Sequence, residues 1–151
     1  MRSSHPTGLH FHRRNPDPRR GSHGDCVVRA ITLATGDPYD YVFQQLHRLM
    51  EGFNRSGTPN GGVPNSISRH WMRRQGWEWY PLPAGTIFKA ANMPELCIAS
   101  QATHLVLVAN GSIWDTWDSR GKRQKKLEGY LAPLGAGATI AEWIKTECCI
   151  A

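Results

Sequence analysis

Asn110-Gly111 lies between two runs rich in apolar, β-branched and aromatic residues, His104–Ala109 and Ser112–Trp117. Asn followed by Gly suits a tight turn in which both central residues take positive φ, so this stretch predicts a β-hairpin. The length of the turn decides what meets across it. With a two-residue turn, Val108 faces Ile113, His104 faces Trp117, and Asp115 lies diagonally from His104 on one face. With a three-residue turn, Ala109-Asn110-Gly111 plus a bulge, the parity flips and Asp118 shares that face instead.

Upstream of the hairpin the pattern is helical. A first helix is predicted from about Cys26 to Thr35, with Asp25 as N-cap and Gly36 closing it. Val27, Ala30, Ile31 and Ala34 share one face of it. A second helix is predicted from about Pro38 to Glu51, with Asp37 as cap, Pro38 in the first position and a stripe of Val42, Leu46 and Leu49. The Gly/Pro-rich stretch 54–65 reads as a loop. A third helix, about Asn65 to Gln75, turns Ile67, Trp71 and Met72 inward and ends at Gly76. From Trp77 onward strands are predicted at about 77–80, 86–89, 95–99, 104–109, 112–117 and 128–131. A short helix over about 139–147 follows. Helices first and strands after is the α+β order.

At 151 residues the chain suits one domain, and its 40% hydrophobic content supports a core. Residues 1–22, rich in Arg, His, Pro and Ser, read as a flexible basic leader with little regular structure, and 23–151 as the folded domain. Met1 to Arg20 has no apolar centre and does not read as a secretory signal; Pro6, Pro16 and Pro18 argue against a targeting helix. Mean hydropathy is −0.48, and no run approaches the roughly 20 apolar residues of a membrane span. The four cysteines, Cys26, Cys97, Cys148 and Cys149, form no CxxC pair. That usage suits a reducing, cytoplasmic setting and argues against a zinc ribbon. Cys97, between Leu96 and Ile98, reads as a core residue. The leader histidines His5, His10 and His12, with His23 beside them, show no metal-ligand spacing, so no metal is expected.

The net charge is +6 and the isoelectric point about 9.5. Such a balance permits attraction to nucleic acid or other acidic partners, and the loop 120–126, with Arg120, Lys122, Arg123, Lys125 and Lys126, is its densest segment. Aromatic residues for stacking bases are absent from that loop.

The chemistry-bearing residues are Cys26 at a helix start, His104 at the start of the hairpin, and an acid on the return strand. A thiol reacts as its thiolate. A helix N-terminus and a nearby imidazolium both lower a cysteine pKa. A carboxylate behind the imidazole orients it and steadies its charge. Asp115 is the favoured third member and Asp118 the alternative. Arg29, one turn after Cys26, is placed to pair with Asp25 or to meet a substrate carboxylate.

Gly-Asp-Cys-Val-Val-Arg-Ala-Ile (24–31), Ala-Thr-Gly-Asp-Pro-Tyr (34–39), Asn60-Gly-Gly-Val, the segment from Leu105 to Asp118 and Gly129-Tyr130 together resemble a widespread family of phage and bacterial proteins. That family is similar to a compact branch of the papain-like cysteine peptidases, and the resemblance covers about 24–131. It implies an α+β fold with N-terminal helices packed on a C-terminal antiparallel sheet. It further implies Cys26 as nucleophile, His104 as general base, a protein or peptide substrate, and neither cofactor nor metal. Papain-like enzymes often carry an oxyanion-binding glutamine several residues before the cysteine. The stretch Asn15 to Gly24 has none, leaving the backbone N–H of Cys26 as one donor and Asn15 or His23 as candidates for another. The alternative to a thiol hydrolase acting on an amide, isopeptide or related acyl bond is a non-catalytic basic binding protein on a degenerate peptidase fold. Deamidation and acyl transfer use the same constellation.

Overall fold

Asn110 and Gly111 have φ of 52° and 75°, and Ala109 pairs with Ser112 across them. The turn is therefore the two-residue form with both central residues left-handed. The computed structural model describes residues 5–19 and 24–134. His23, the expected helix over 139–147, Cys148 and Cys149 lie outside the described residues.

The fold is α+β. Strand β1 (His10–Arg13) comes first, then helices α1 (Cys26–Thr35), α2 (Tyr39–Gly52) and α3 (Asn65–Arg74). Strands β2 (Trp77–Pro81), β3 (Leu96–Gln101), β4 (His104–Ala109), β5 (Ser112–Asp115) and β6 (Gly129–Pro133) follow. All six strands form one sheet in the order β1-β5-β4-β3-β6-β2. The pairs among β2 to β6 are antiparallel, whereas β1 runs parallel to β5. The sheet is thus mixed, not purely antiparallel.

The added strand corrects the expectation of a leader without regular structure. His-Phe-His-Arg carries no apolar alternation that would mark a strand. It is held by the open edge of β5, where its backbone groups find partners. Leu9, just before it, is buried beside Phe88, Val106, Val108 and Ile113. Three further expectations change. The 86–89 segment makes a single bridge, Ile87 to Lys126, because it is squeezed between the Pro83–Gly85 turn and a 3-10 turn at Ala90–Asn92. Asp37 does not cap α2: Pro38 holds the N-cap position and Tyr39 begins the helix. Asp25 makes no side-chain cap bond to α1, for a reason given below.

Alternation along β3 and β4 divides the core in two. Leu96, Ile98, Leu105 and Leu107 pack against the three helices. Cys97, Ala99, Val106 and Val108 face the second cluster with Leu9, Phe88 and Leu127. The expected apolar face of α1 is buried, but so are Val28, Arg29, Thr32 and Leu33. The helix lies between β4 and α2, and the chain at Arg14 and Pro16 borders it at Thr32 and Leu33. A helix covered all round cannot shed a charged side chain to solvent, so Arg29 must be paired within the protein. Gly36 ends α1 in the left-handed conformation, its N–H donating to the Thr32 carbonyl.

Candidate active site

Cys26 is the first residue of α1 and His104 the first of β4. Since α1 packs on β4, two ends far apart in sequence meet at one place. Both side chains line an open groove of about 410 Å³, together with Gly24, Gly61–Asn65 and Ser100–Leu105. The Cys26 thiol and the His104 imidazole are near enough for each to shift the other's protonation, and the Leu105 backbone N–H lies on the sulfur's side of the groove.

His104 Nε2 lies 2.6 Å from Asp115 Oδ2. With Nε2 so engaged, Nδ1 is the ring nitrogen left for the thiol. The ladder between β4 and β5 stops at Leu107–Trp114. Its register continued puts His104 opposite Trp117, and those rings sit 4.8 Å apart. Asp115 is thereby the acid that reaches His104. Asp118 is turned away and grips Arg120 through both carboxylate oxygens, at 2.9 and 2.7 Å.

Burial alone pushes the Cys26 thiol up in pKa. The His104 hydrogen bond, the Leu105 N–H and the positive charges of His104 and Arg29 outweigh it, so the thiol is lowered from its ordinary value. For His104, burial lowers the value, but the bonds and charges of Asp115 and Cys26 raise it to about 9. Both shifts favour the thiolate–imidazolium form of the pair over the neutral one. Cys97, fully buried in the second cluster, goes the other way: burial pushes its thiol up and keeps it protonated.

Behind Asp115 runs a buried polar chain. Arg29 Nη2 lies 3.4 Å from Asp115 Oδ1, and Arg29 Nη1 pairs with Asp25 Oδ1. The Tyr39 hydroxyl donates to Asp25 Oδ2 at 2.6 Å. Asp25, Arg29 and Asp115 are each no more than 5% exposed. Here is why Asp25 does not cap α1: its carboxylate is fully used by Arg29 and Tyr39. Of the two roles open to Arg29, the structure shows pairing with Asp25. The link onward to Asp115, and the part of Tyr39, were not legible in sequence. Only the i,i+4 spacing of Asp25 and Arg29 hinted at the first pair.

Gly24 holds the groove together. Its φ is 74°, and a Cβ there would fall 2.3 Å from the Asn60 carbonyl oxygen. The Asn60–Gly62 loop can approach the residue two before Cys26 only because that side chain is missing. Asn15, a candidate oxyanion donor, accepts from the Asp17 backbone N–H instead and does not line the groove. Groove residues that sequence did not single out are Asn65, Gln101 and Thr103. They carry no motif and are collected by the β3–β4 turn and the start of α3.

Comparison with protein-family models, with curated proteins and with solved structures finds nothing that matches the chain.

Proposed function

We propose that this chain is a papain-like thiol hydrolase that cleaves an amide, isopeptide or related acyl bond. The observation that supports the reading is the convergence of Cys26, at a helix start, and His104, hydrogen-bonded to Asp115, in one open groove. The Cys26 thiolate attacks the substrate carbonyl carbon, and the C=O electron pair moves onto oxygen. Backbone N–H groups of the first turn of α1, which no side chain caps, are the donors for that oxyanion. As the C=O reforms, the bond to the leaving nitrogen breaks and the His104 imidazolium delivers its proton there. A thioester remains on Cys26. Water, giving a proton to His104, then attacks the thioester, releasing the acid and restoring thiolate and imidazolium.

A thiol-reactive acyl probe tests the reading. Cys26→Ala is expected to abolish labelling and Cys97→Ala to keep it. Equal labelling of both variants counts against the proposal. The second reading, a non-catalytic basic binding protein, draws on the loop 120–126, which with His5 and Lys89 lines a separate pocket. It predicts salt-sensitive binding to nucleic acid that Cys26→Ala leaves unchanged, with no probe reactivity.

A further inference from the structure

The groove does not end at the catalytic pair. On one side of His104, Cys26 shares its walls with Gly61, Gly62, Val63 and Asn65, and among the described residues no charged side chain other than the catalytic pair lines it. On the other side, Gln101–His104 continue into a second depression with Trp117, Lys125 and Lys126. The order of chemical events assigns the two halves. An acyl group stays on the sulfur, so it occupies the half that Cys26 lines. A leaving group takes its proton from His104, so it departs over the half that His104 lines and Cys26 does not.

We propose that this second half is an acid-selecting subsite, receiving the leaving portion of a peptide substrate and favouring aspartate or glutamate there; this rests on the thiol-hydrolase reading. Among the described residues, the only ionisable side chains lining it are His104, Lys125 and Lys126. Neither lysine has an ion-pair partner among the described residues. The nearby carboxylates are committed elsewhere: Asp115 to His104 and Arg29, Asp118 to Arg120, Glu128 to the Ser100 hydroxyl. Lys125 Nζ stands 5.5 Å from the Trp117 ring centre, which keeps one cation against the aromatic wall. Trp117 is 45% exposed and offers a surface for the apolar stem of a substrate side chain. Gln101, 5% exposed, donates Nε2 to the Ser119 carbonyl. Its Oε1 is buried and has no hydrogen-bond partner among the described residues. Nucleic acid fits less well, because single strands are gripped by successive stacking rings and this depression has one exposed ring.

Two measurements on the full chain test the subsite. In a mixed peptide library, cut sites are expected to show Asp and Glu enriched roughly fivefold at the first two positions after the cut. The double variant Lys125→Glu/Lys126→Glu is expected to turn that preference toward Lys and Arg. No preference on that side, or the same preference in the double variant, overturns the proposal. Binding needs no turnover: a fluorescent peptide carrying three glutamates is expected to bind Cys26→Ala roughly tenfold more tightly than its glutamine counterpart. It is also expected to lose that margin when the two lysines are reversed. Equal binding of the two peptides overturns the subsite. A DNA oligonucleotide of equal charge that binds more tightly and displaces the peptide overturns the peptide assignment. Failure of Cys26 labelling, with lysine-dependent peptide binding intact, removes the hydrolase reading alone.

Discussion

His104 carries its proton to about pH 9, and the Cys26 thiol loses its own below the usual thiol range. The reactive ion pair therefore exists between these two titrations. The rate of Cys26 acylation is expected to rise with pH through the lowered thiol pKa and to fall as His104 deprotonates near pH 9. A pH–rate profile checks both limbs. Asp115→Asn removes a hydrogen bond to a charged group, worth about 1.5–3 kcal/mol, or about 10–150-fold in rate. It is also expected to move the alkaline limb to lower pH, since Asp115 supports the raised value. Asp118→Asn, whose carboxylate holds only Arg120, is expected to leave both rate and limb in place. Arg29 acts one step further back. Arg29→Met leaves the buried Asp25 carboxylate without a cation, while Asp115 keeps His104, and is expected to cost about 3–5 kcal/mol in urea unfolding. The double variant Asp25→Asn/Arg29→Met is expected to recover part of that loss, since the stranded charge is gone.

Among the elements, the β4–β5 hairpin places Asp115 against His104, and α1 places Cys26. The turn at Asn110-Gly111 determines which of Asp115 and Asp118 reaches His104, so its geometry is felt at the site. Gly111→Ala places a Cβ at φ 75° and is expected to cost about 1–2 kcal/mol by urea unfolding. Helix α1 was legible from Asp25 to Gly36 by periodicity and by its terminating glycine. Its all-round burial was not, because a helical pattern reports one apolar stripe and not what covers the opposite side. Arg29, on that opposite side, is 5% exposed. The expected capping by Asp25 failed for the same reason. A carboxylate beside a buried guanidinium bonds to it in preference to a backbone N–H that water or substrate can serve.

For the molecule as a whole, His10–Arg13 of the leader is part of the sheet. β1 closes the β5 edge beside Asp115, with the Arg14 N–H donating to the Asp115 carbonyl at 2.8 Å. Leu9 is 1% exposed, as deeply buried as the core of α1. Leu9→Ala is expected to cost about 2–5 kcal/mol, comparable to Ile31→Ala in the first cluster. Urea unfolding of the two variants side by side checks this; a negligible loss for Leu9→Ala would mean that the leader is not docked. Among the described residues no helix is long and apolar enough to cross a membrane.

Local patterns determined the three helices, most of the strands and the hairpin, because each depends on neighbours a few residues away. Tertiary structure alone decided the parallel edge strand, the buried Tyr39–Asp25–Arg29 chain with its link to Asp115, and the cationic far half of the groove. The physical reason is one of range. Hydrogen-bond geometry and burial at these points are set by chain segments from 14 to 103 residues apart, and no local periodicity records what a distant segment will cover.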